Sequence, residues 1–206
     1  FHRKGPFEDT PIQTTVGMEQ PWRYRNKSQI PVGKDKENKA ITGFYRQRSH
    51  DIIDMDSCLI QDEQHQKIMN HVKQWLNELN ISIYNEKNQS GLMRHLVVRT
   101  GYHTDEMMVI FVTNGKKFKN ADVLVQKLIS AYPNVTSIKQ NINDTHSNVI
   151  MGRQSVTLYG KDKIVDQLSE VTFNISDQSF YQINSAQTEK LYQQAIDYAQ
   201  LTGEEI

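Results

Sequence analysis

The run Met107-Met108-Val109-Ile110-Phe111-Val112 constrains the fold more than any other stretch of the chain. An unbroken apolar run of this length, with no alternation of polar and apolar residues, reads as a strand covered on both faces at the centre of a sheet. Leu92 to Thr100 reads as its neighbour across a short turn. Between Asp62 and Asn80, Ile68, Val72, Trp75, Leu76 and Leu79 recur at helical spacing, and Ala121, Leu124, Val125, Leu128 and Ile129 mark another helix. Val135 to Asn143 turns extended after Pro133-Asn134. Upstream, Trp22 to Val32 and Ala40 to Arg46 suit two strands joined by the polar hairpin loop Gly33 to Lys39. The order strand, helix, strand, strand, helix, strand predicts an α+β fold, a mostly antiparallel sheet with helices on one face and a ferredoxin-like tendency.

Three units are expected along the chain. Residues 1–20 are polar, hold Gly5, Pro6, Pro11 and Gly17, and read as an irregular arm or linker. Residues 21–150 form the α+β domain. Residues 151–206 begin a further unit of β-β-α type, with short strands at Ser155 to Tyr159 and Glu170 to Ile175 and a helix from Ser185 to Leu201. Asn184 and Gln187 have the spacing of a capping box, Gly203 is placed to end the helix, and Leu191, Ala195, Ile196 and Ala199 make its expected buried stripe.

Composition excludes several classes. The 24 Lys and Arg balance 24 Asp and Glu, so any nucleic-acid affinity requires local clustering of charge. One cysteine, Cys58, rules out an internal disulfide framework and a metal site built from several thiolates of this chain. The histidines, at 2, 50, 65, 71, 95, 103 and 146, lack zinc-ligand spacing. No apolar run approaches the ~20 residues that span a bilayer, and Phe1-His2-Arg3-Lys4 is followed by no signal core, so a cytoplasmic protein with no membrane partner is expected.

Polar clusters carry the chemistry. In Trp22-Arg23-Tyr24-Arg25-Asn26-Lys27-Ser28-Gln29, an extended backbone puts Arg25, Lys27 and Gln29 on one face about 6.8 Å apart, a row able to grip phosphates and read a base edge. Arg46 and Arg48 on the partner strand add charge, and Trp22, Tyr24 and Phe44 offer rings for stacking. The same pattern also fits a solvated sheet face with its aromatics in the core. Cys58, beside Leu59 and Ile60, reads as a small buried hydrophobe, since nothing local activates it. In Phe180-Tyr181-Gln182-Ile183-Asn184, the Gln182 amide precedes a helix N-terminus and could hold a carboxylate or a base edge, with Phe180 on the same face; a plain strand-to-helix junction is the alternative. No glycine-rich phosphate loop, paired catalytic carboxylates or serine elbow occurs, so the chain carries no complete catalytic set.

Taken in order, Gly17-Met18-Glu19-Gln20-Pro21-Trp22-Arg23-Tyr24-Arg25-Asn26-Lys27, Gly43-Phe44-Tyr45, Ser49 to Asp54, Cys58-Leu59-Ile60-Gln61, Thr145 to Gly152 and Phe173-Asn174-Ile175-Ser176 through Asn184 resemble the S-adenosylmethionine-dependent RNA uracil-5 methyltransferases, especially the branch acting on bacterial 23S ribosomal RNA. The resemblance implies the family's central α+β domain and the lead-in to its Rossmann-type methyltransferase domain. It implies further that the catalytic cysteine, the general base and most cofactor contacts lie beyond Ile206, so that the chain alone is an inactive fragment. By the same resemblance Gln182 touches S-adenosylmethionine and Phe180 lies near the flipped uracil. Arg25, Lys27 and Gln29 fall on a strand that contacts ribosomal RNA, with Gln29 where some relatives carry a cation. Cys58 takes the place of one ligand of an iron–sulfur cluster whose other cysteines would precede Phe1, so the cluster is expected in the intact protein and not in this fragment. The intact enzyme would be monomeric and would add a cysteine thiolate to carbon 6 of a flipped uracil, making carbon 5 nucleophilic toward the methyl group. The alternative is a stand-alone RNA-binding or assembly module without catalysis.

Overall fold

The computed structural model describes residues 11–203. Its centre is the antiparallel pair β4 (Met93–Thr100) and β5 (Met107–Thr113), in which every residue of β5 is buried. That burial accounts for the missing alternation: both faces of β5 are covered, so neither tolerates polar side chains. Around the pair, β1 (Lys27–Lys34), β2 (Ala40–Tyr45), β3 (Ile52–Asp54), β6 (Val135–Ile142) and β7 (Gln154–Gly160) complete a seven-stranded sheet in the order β3-β2-β1-β4-β5-β6-β7. Pairing is antiparallel except between β5 and β6, whose parallel alignment requires the crossover helix α2 (Ala121–Ala131).

Both helices packed on the sheet cover one face. Helix α1 (Glu63–Glu78) presents Ile68, Met69, Val72 and Leu76, and α2 presents Leu124, Val125 and Leu128, to a core with Ile30, Leu96, Val98, Val109 and Phe111. Each such buried side chain contributes about 1.5–3 kcal/mol. Helix α1 is delimited chemically at both ends. The Asp62 carboxylate accepts from the amides of Gln64 (2.7 Å) and His65 (3.4 Å). At the other end Asn80 adopts φ 52°, and the Ile81 amide donates to the Leu76 carbonyl at 2.9 Å while Asn80 donates to Asn77 at 3.1 Å, the paired bonds of a Schellman stop. The opposite face exposes Val97, Met108, Ile110 and Val112, which are sealed by Ile164 and Ile175 of the hairpin β8 (Ile164–Leu168) and β9 (Val171–Ile175).

Several expectations need revision. The first strand begins at Lys27, not Trp22, because Arg23 sits at φ 56° and breaks the extended run. β3 and β8 carry no strong period-two signal and add to the elements expected from the sequence. The ferredoxin-like tendency is confined to the element order, since β1, β4, β5 and β6 lie side by side in chain order. The boundary expected at residue 150 falls within the sheet, because β7 lies beyond it yet pairs with β6. Residues 1–10 of the expected arm are outside the described residues, and residues 11–20 carry no helix or strand.

Helix α3 (Ser185–Ala199) differs most from its pattern. It buries Ser185 and Thr188 in its first two turns, whereas Leu191 (62% exposed) and Ile196 (52%) face outward, so the expected buried stripe has no partner among the described residues. Asn184 does cap the helix, accepting from the Gln187 amide, but Gln187 turns its own amide to the Val16 carbonyl, leaving the box half-formed. Gln200, left-handed at φ 49°, ends the helix ahead of Gly203.

His65 is fully buried, with Nδ1 against Ser28 Oγ (2.9 Å) and Nε2 against Thr100 Oγ1 (2.6 Å), and burial pushes its pKa down to about 3. Below about pH 6.5 the unfolded chain takes up a proton that the folded one refuses, so unfolding free energy falls as pH drops toward 3. Urea titrations between pH 7 and 4 are expected to show a shallower loss of stability for His65→Gln than for the parent chain; equal slopes would contradict a neutral buried His65.

Candidate nucleic-acid interface

The polar clusters read from the sequence meet in space. The segment before β1 runs alongside residues 58–61: the Arg23 amide donates to the Leu59 carbonyl (2.8 Å) and the Arg25 amide to Ile60 (3.1 Å). The Arg23 guanidinium also donates to the carbonyls of Cys58 and Gln61. One residue later, the Asn26 amide donates to the Ile183 carbonyl at 3.0 Å. Its side-chain nitrogen donates to the Gln182 carbonyl (2.8 Å) and to Ser185 Oγ (2.9 Å). Asn26 is buried and its bonds join residues more than 150 positions apart, so it fixes where the segment before α3 sits on the sheet.

The result is a cleft of about 360 Å³ lined by Arg25, Lys27, Gln29, Phe44, Ile60 and Ile183, together with Gln61. The row of two cations and an amide therefore lies on one surface, as its spacing predicts, with Phe44 as the aromatic beside it. Lys27 has its pKa lowered, first by burial and then by the charges of Arg99 and Arg25. A cluster of like cations attracts anions. Arg46 does not join this row; it lines a separate, larger cleft with Tyr45 and His50. Trp22 is exposed at its edge of the molecule.

Next to this cleft, across the backbone of residues 182–183, lies a smaller one of about 130 Å³ lined by Phe173, Phe180, Tyr181, Gln182, Ser185 and Tyr192, with Leu168 and Thr188. Phe180 and Gln182 thus share one wall. The chain reaching Phe180 is held rigidly: Ser176 and Ser179 exchange amide-to-hydroxyl bonds at 3.1 Å each, and the Ser179 carbonyl accepts from the buried Arg99 at 2.6 Å. Tyr181 donates to Asp166 (2.9 Å), whose other oxygen accepts from the His103 amide (2.9 Å). Burial and the Asp166 carboxylate both raise the Tyr181 pKa, so the phenol remains a donor at neutral pH. Phe180 itself is 85% exposed, an apolar ring held out over the cleft by a fixed backbone.

Cys58 is a half-buried free thiol, and no group of three His, Cys, Asp or Glu side chains suited to a metal occurs among the described residues. Sequence reasoning missed Asn26 and Asp166. Nothing in their local sequence distinguishes them from solvated polar residues; their roles arise from long-range pairing.

No protein-family model matches the chain. Over all 206 residues the chain is 78% identical to a Staphylococcus epidermidis protein described as an uncharacterized RNA methyltransferase. It is 71% identical over the same length to another so described from Staphylococcus aureus. The chain spans 45% and 46% of these relatives, a little under half their length. Among solved structures, it is similar to the tRNA (uracil-54, C5)-methyltransferase of Pyrococcus abyssi in complex with S-adenosyl-L-homocysteine, with a TM-score of 0.70 and 26% identity over 87% of this chain and 42% of that one. The mixed α+β sheet with helices on one face and the added β-β-α element match the fold of that enzyme.

Asp166 is fully buried and satisfies donors from two other segments. Asp166→Ala, which strands both, is expected to lower unfolding free energy by at least about 2 kcal/mol and Tyr181→Phe by about 1 kcal/mol. Urea unfolding checks both, and equal losses in the two variants would contradict this arrangement.

Proposed function

We propose that the chain is the RNA-positioning portion of an S-adenosylmethionine-dependent methyltransferase that modifies carbon 5 of a uridine in 23S ribosomal RNA. The observation that carries this reading is the meeting of Arg25, Lys27 and Gln29 with Ile183 in one cleft, beside the cleft that Phe180 and Gln182 share. Cations and an amide at and just before the start of a strand hold an RNA backbone, and an exposed ring a few residues away suits an unstacked base. The similarity to RNA methyltransferases of two staphylococci and to a uracil-C5 enzyme supports the reaction class. Ribosomal RNA is named on the resemblance of the ordered motifs to the branch acting on 23S ribosomal RNA, whereas the similar solved structure is of an enzyme named for tRNA.

The residues present fit part of a cofactor site. Gln182 offers an amide donor and acceptor among Phe180, Tyr181 and Tyr192, a set that suits the polar edge and apolar face of an adenosyl group. About 130 Å³ is too small to enclose a cofactor of that size, for which clefts of roughly 300 Å³ or more are usual, so these residues would form one wall. S-adenosylmethionine would supply the methyl group. The role of this chain would be to hold the RNA strand and to keep Phe180 and Gln182 at a fixed height beside it. The seven-stranded sheet, β7 included, would belong to the recognition domain and the residues after it would begin the methyltransferase domain, the intact protein acting as a monomer. The chain's single cysteine does not fit a cluster unaided, and no step is assigned to it. The outward stripe of α3, with Leu191 and Ile196 exposed, favours this reading over a free-standing RNA-binding module, because such a surface suits a covering domain.

The test is fluorescence anisotropy with a single-stranded RNA loop. Arg25→Glu and Lys27→Glu are each expected to weaken binding about tenfold at low salt, and to reduce the slope of log affinity against log salt by about 0.7 per lost phosphate contact. Unchanged affinity and slope would count against the proposal.

A further inference from the structure

A cleft larger than either of those beside Gln182 lies elsewhere on the sheet. It has a volume of about 1180 Å³ and lies between the β1-β2-β3 ribbon and residues 84–95. Its rim carries the ring pair Tyr45 and His50, with centroids 5.7 Å apart, and Tyr45 is 40% exposed. On the other side the Arg94 guanidinium lies 4.4 Å from the Tyr84 ring centre and is anchored by the carbonyls of Asn143 (2.7 Å) and Thr145 (2.8 Å). His50 Nδ1 reaches Glu86 Oε2 at 2.6 Å, a clasp between the two sides made by exposed side chains.

The lining includes His95, only 7% exposed, whose Nδ1 is buried without a hydrogen-bond partner. Burial, helped by the Arg94 charge, pushes its pKa down to about 4, so the ring is neutral at pH 7 and presents one donor and one acceptor nitrogen.

Charge decides what kind of ligand such a cleft takes. Three of its four carboxylates are engaged, Asp54 by Lys73 and the Thr42 amide, Asp35 by the amides of Glu37 and Lys39, and Glu86 by His50, while Asp51 also lines it. Lys34 and Arg46, by contrast, line it without an ion pair among the described residues. The cleft also continues the basic row. In the β1–β4 register Lys27 faces Arg99, Gln29 faces Val97 and Pro31 faces His95, and Gly33, two residues on, lines the large cleft. Alternate residues of one strand face therefore lead from one cleft to the other, about 13 Å from Gln29 to Gly33, a distance that a few nucleotides cover.

We propose that this cleft binds a second unpaired nucleotide of the same RNA strand, its base stacked against Tyr45 and read by His95, its phosphate met by Arg46 and Lys34. The inference rests on the RNA reading of the Arg25 to Gln29 row. It predicts a dependence on RNA length, because a strand too short to span both clefts leaves this one empty.

The experiment compares single-stranded RNAs of about four and about ten nucleotides, lengths within the range that one such surface accommodates. Tyr45→Ala and Arg46→Glu are each expected to weaken the longer RNA about tenfold and to leave the shorter one unchanged. Arg25→Glu is expected to weaken both. Tyr45 and Arg46 are exposed, so their replacement leaves the core intact. Undiminished binding of the longer RNA by Tyr45→Ala, while Arg25→Glu still weakens it, overturns the second site and spares the proposed function. Loss of effect in all three variants overturns both. As an independent readout, the His95 ring resonances in the parent chain shift on adding the longer RNA and stay in place with the shorter; resonances unmoved by either overturn the role given to His95.

Discussion

Burial of the β4–β5 pair on both faces is the constraint on which the rest depends. A sheet whose central strands are apolar on both sides cannot be stable with helices on one side alone, since the second face would leave Val97, Met108, Ile110 and Val112 in water. The hairpin β8-β9 and the segment leading to α3 provide that second cover. The segment is tied down by polar contacts at the sheet's own edge of the core. Lys139, 4% exposed, is held between Asp162 (2.7 Å) and Asp177 (3.2 Å); burial opposes its charge, and the two carboxylates more than offset this and raise its pKa. Asp177 also accepts from Ser155, and Arg99 and Asn26 bind the carbonyls of Ser179 and Gln182. A cover required for stability is thereby aligned in register with the basic strand face.

This economy explains why the site lies where it does. Lys27 and Gln29 belong to the same sheet face as Val97, but at the β1 side, where the cover stops. The face is mostly apolar under the hairpin, with Arg99 and Lys139 buried at its margins, and cationic beyond it. Phe180 and Gln182 sit at the border, so one stretch of backbone seals the core with Tyr181 and lines the surface with its neighbours. Alternation along an extended chain allows such a division of labour.

Much of this was legible in the sequence, and what was not has identifiable causes. The Met107–Val112 run and the stripes of α1 and α2 report burial, which periodicity records directly. The row of Arg25, Lys27 and Gln29 was legible because it needs only the two-residue period of a strand. β3 and β8 were not: each is short, and β8 carries Asp166 inward, where pattern reading expects an apolar residue. Its carboxylate is tolerated there because Tyr181 and His103 satisfy it. Helix α3 misled in the opposite sense. Its apolar stripe is real, but a stripe states only that a helix side is apolar, not what lies against it. Asn26 left no trace, since a capping or bridging asparagine looks like any polar residue until its partners are known.

The claim that the basic row and the Gln182 segment act as one site through Asn26 is tested most directly by hydrogen exchange with and without single-stranded RNA. In the parent chain RNA is predicted to slow exchange in residues 25–29 and 180–185 together, and in Asn26→Ala to protect the first segment while leaving the second unprotected. Protection of only one segment in the parent chain, or the same joint protection after Asn26→Ala, would contradict it.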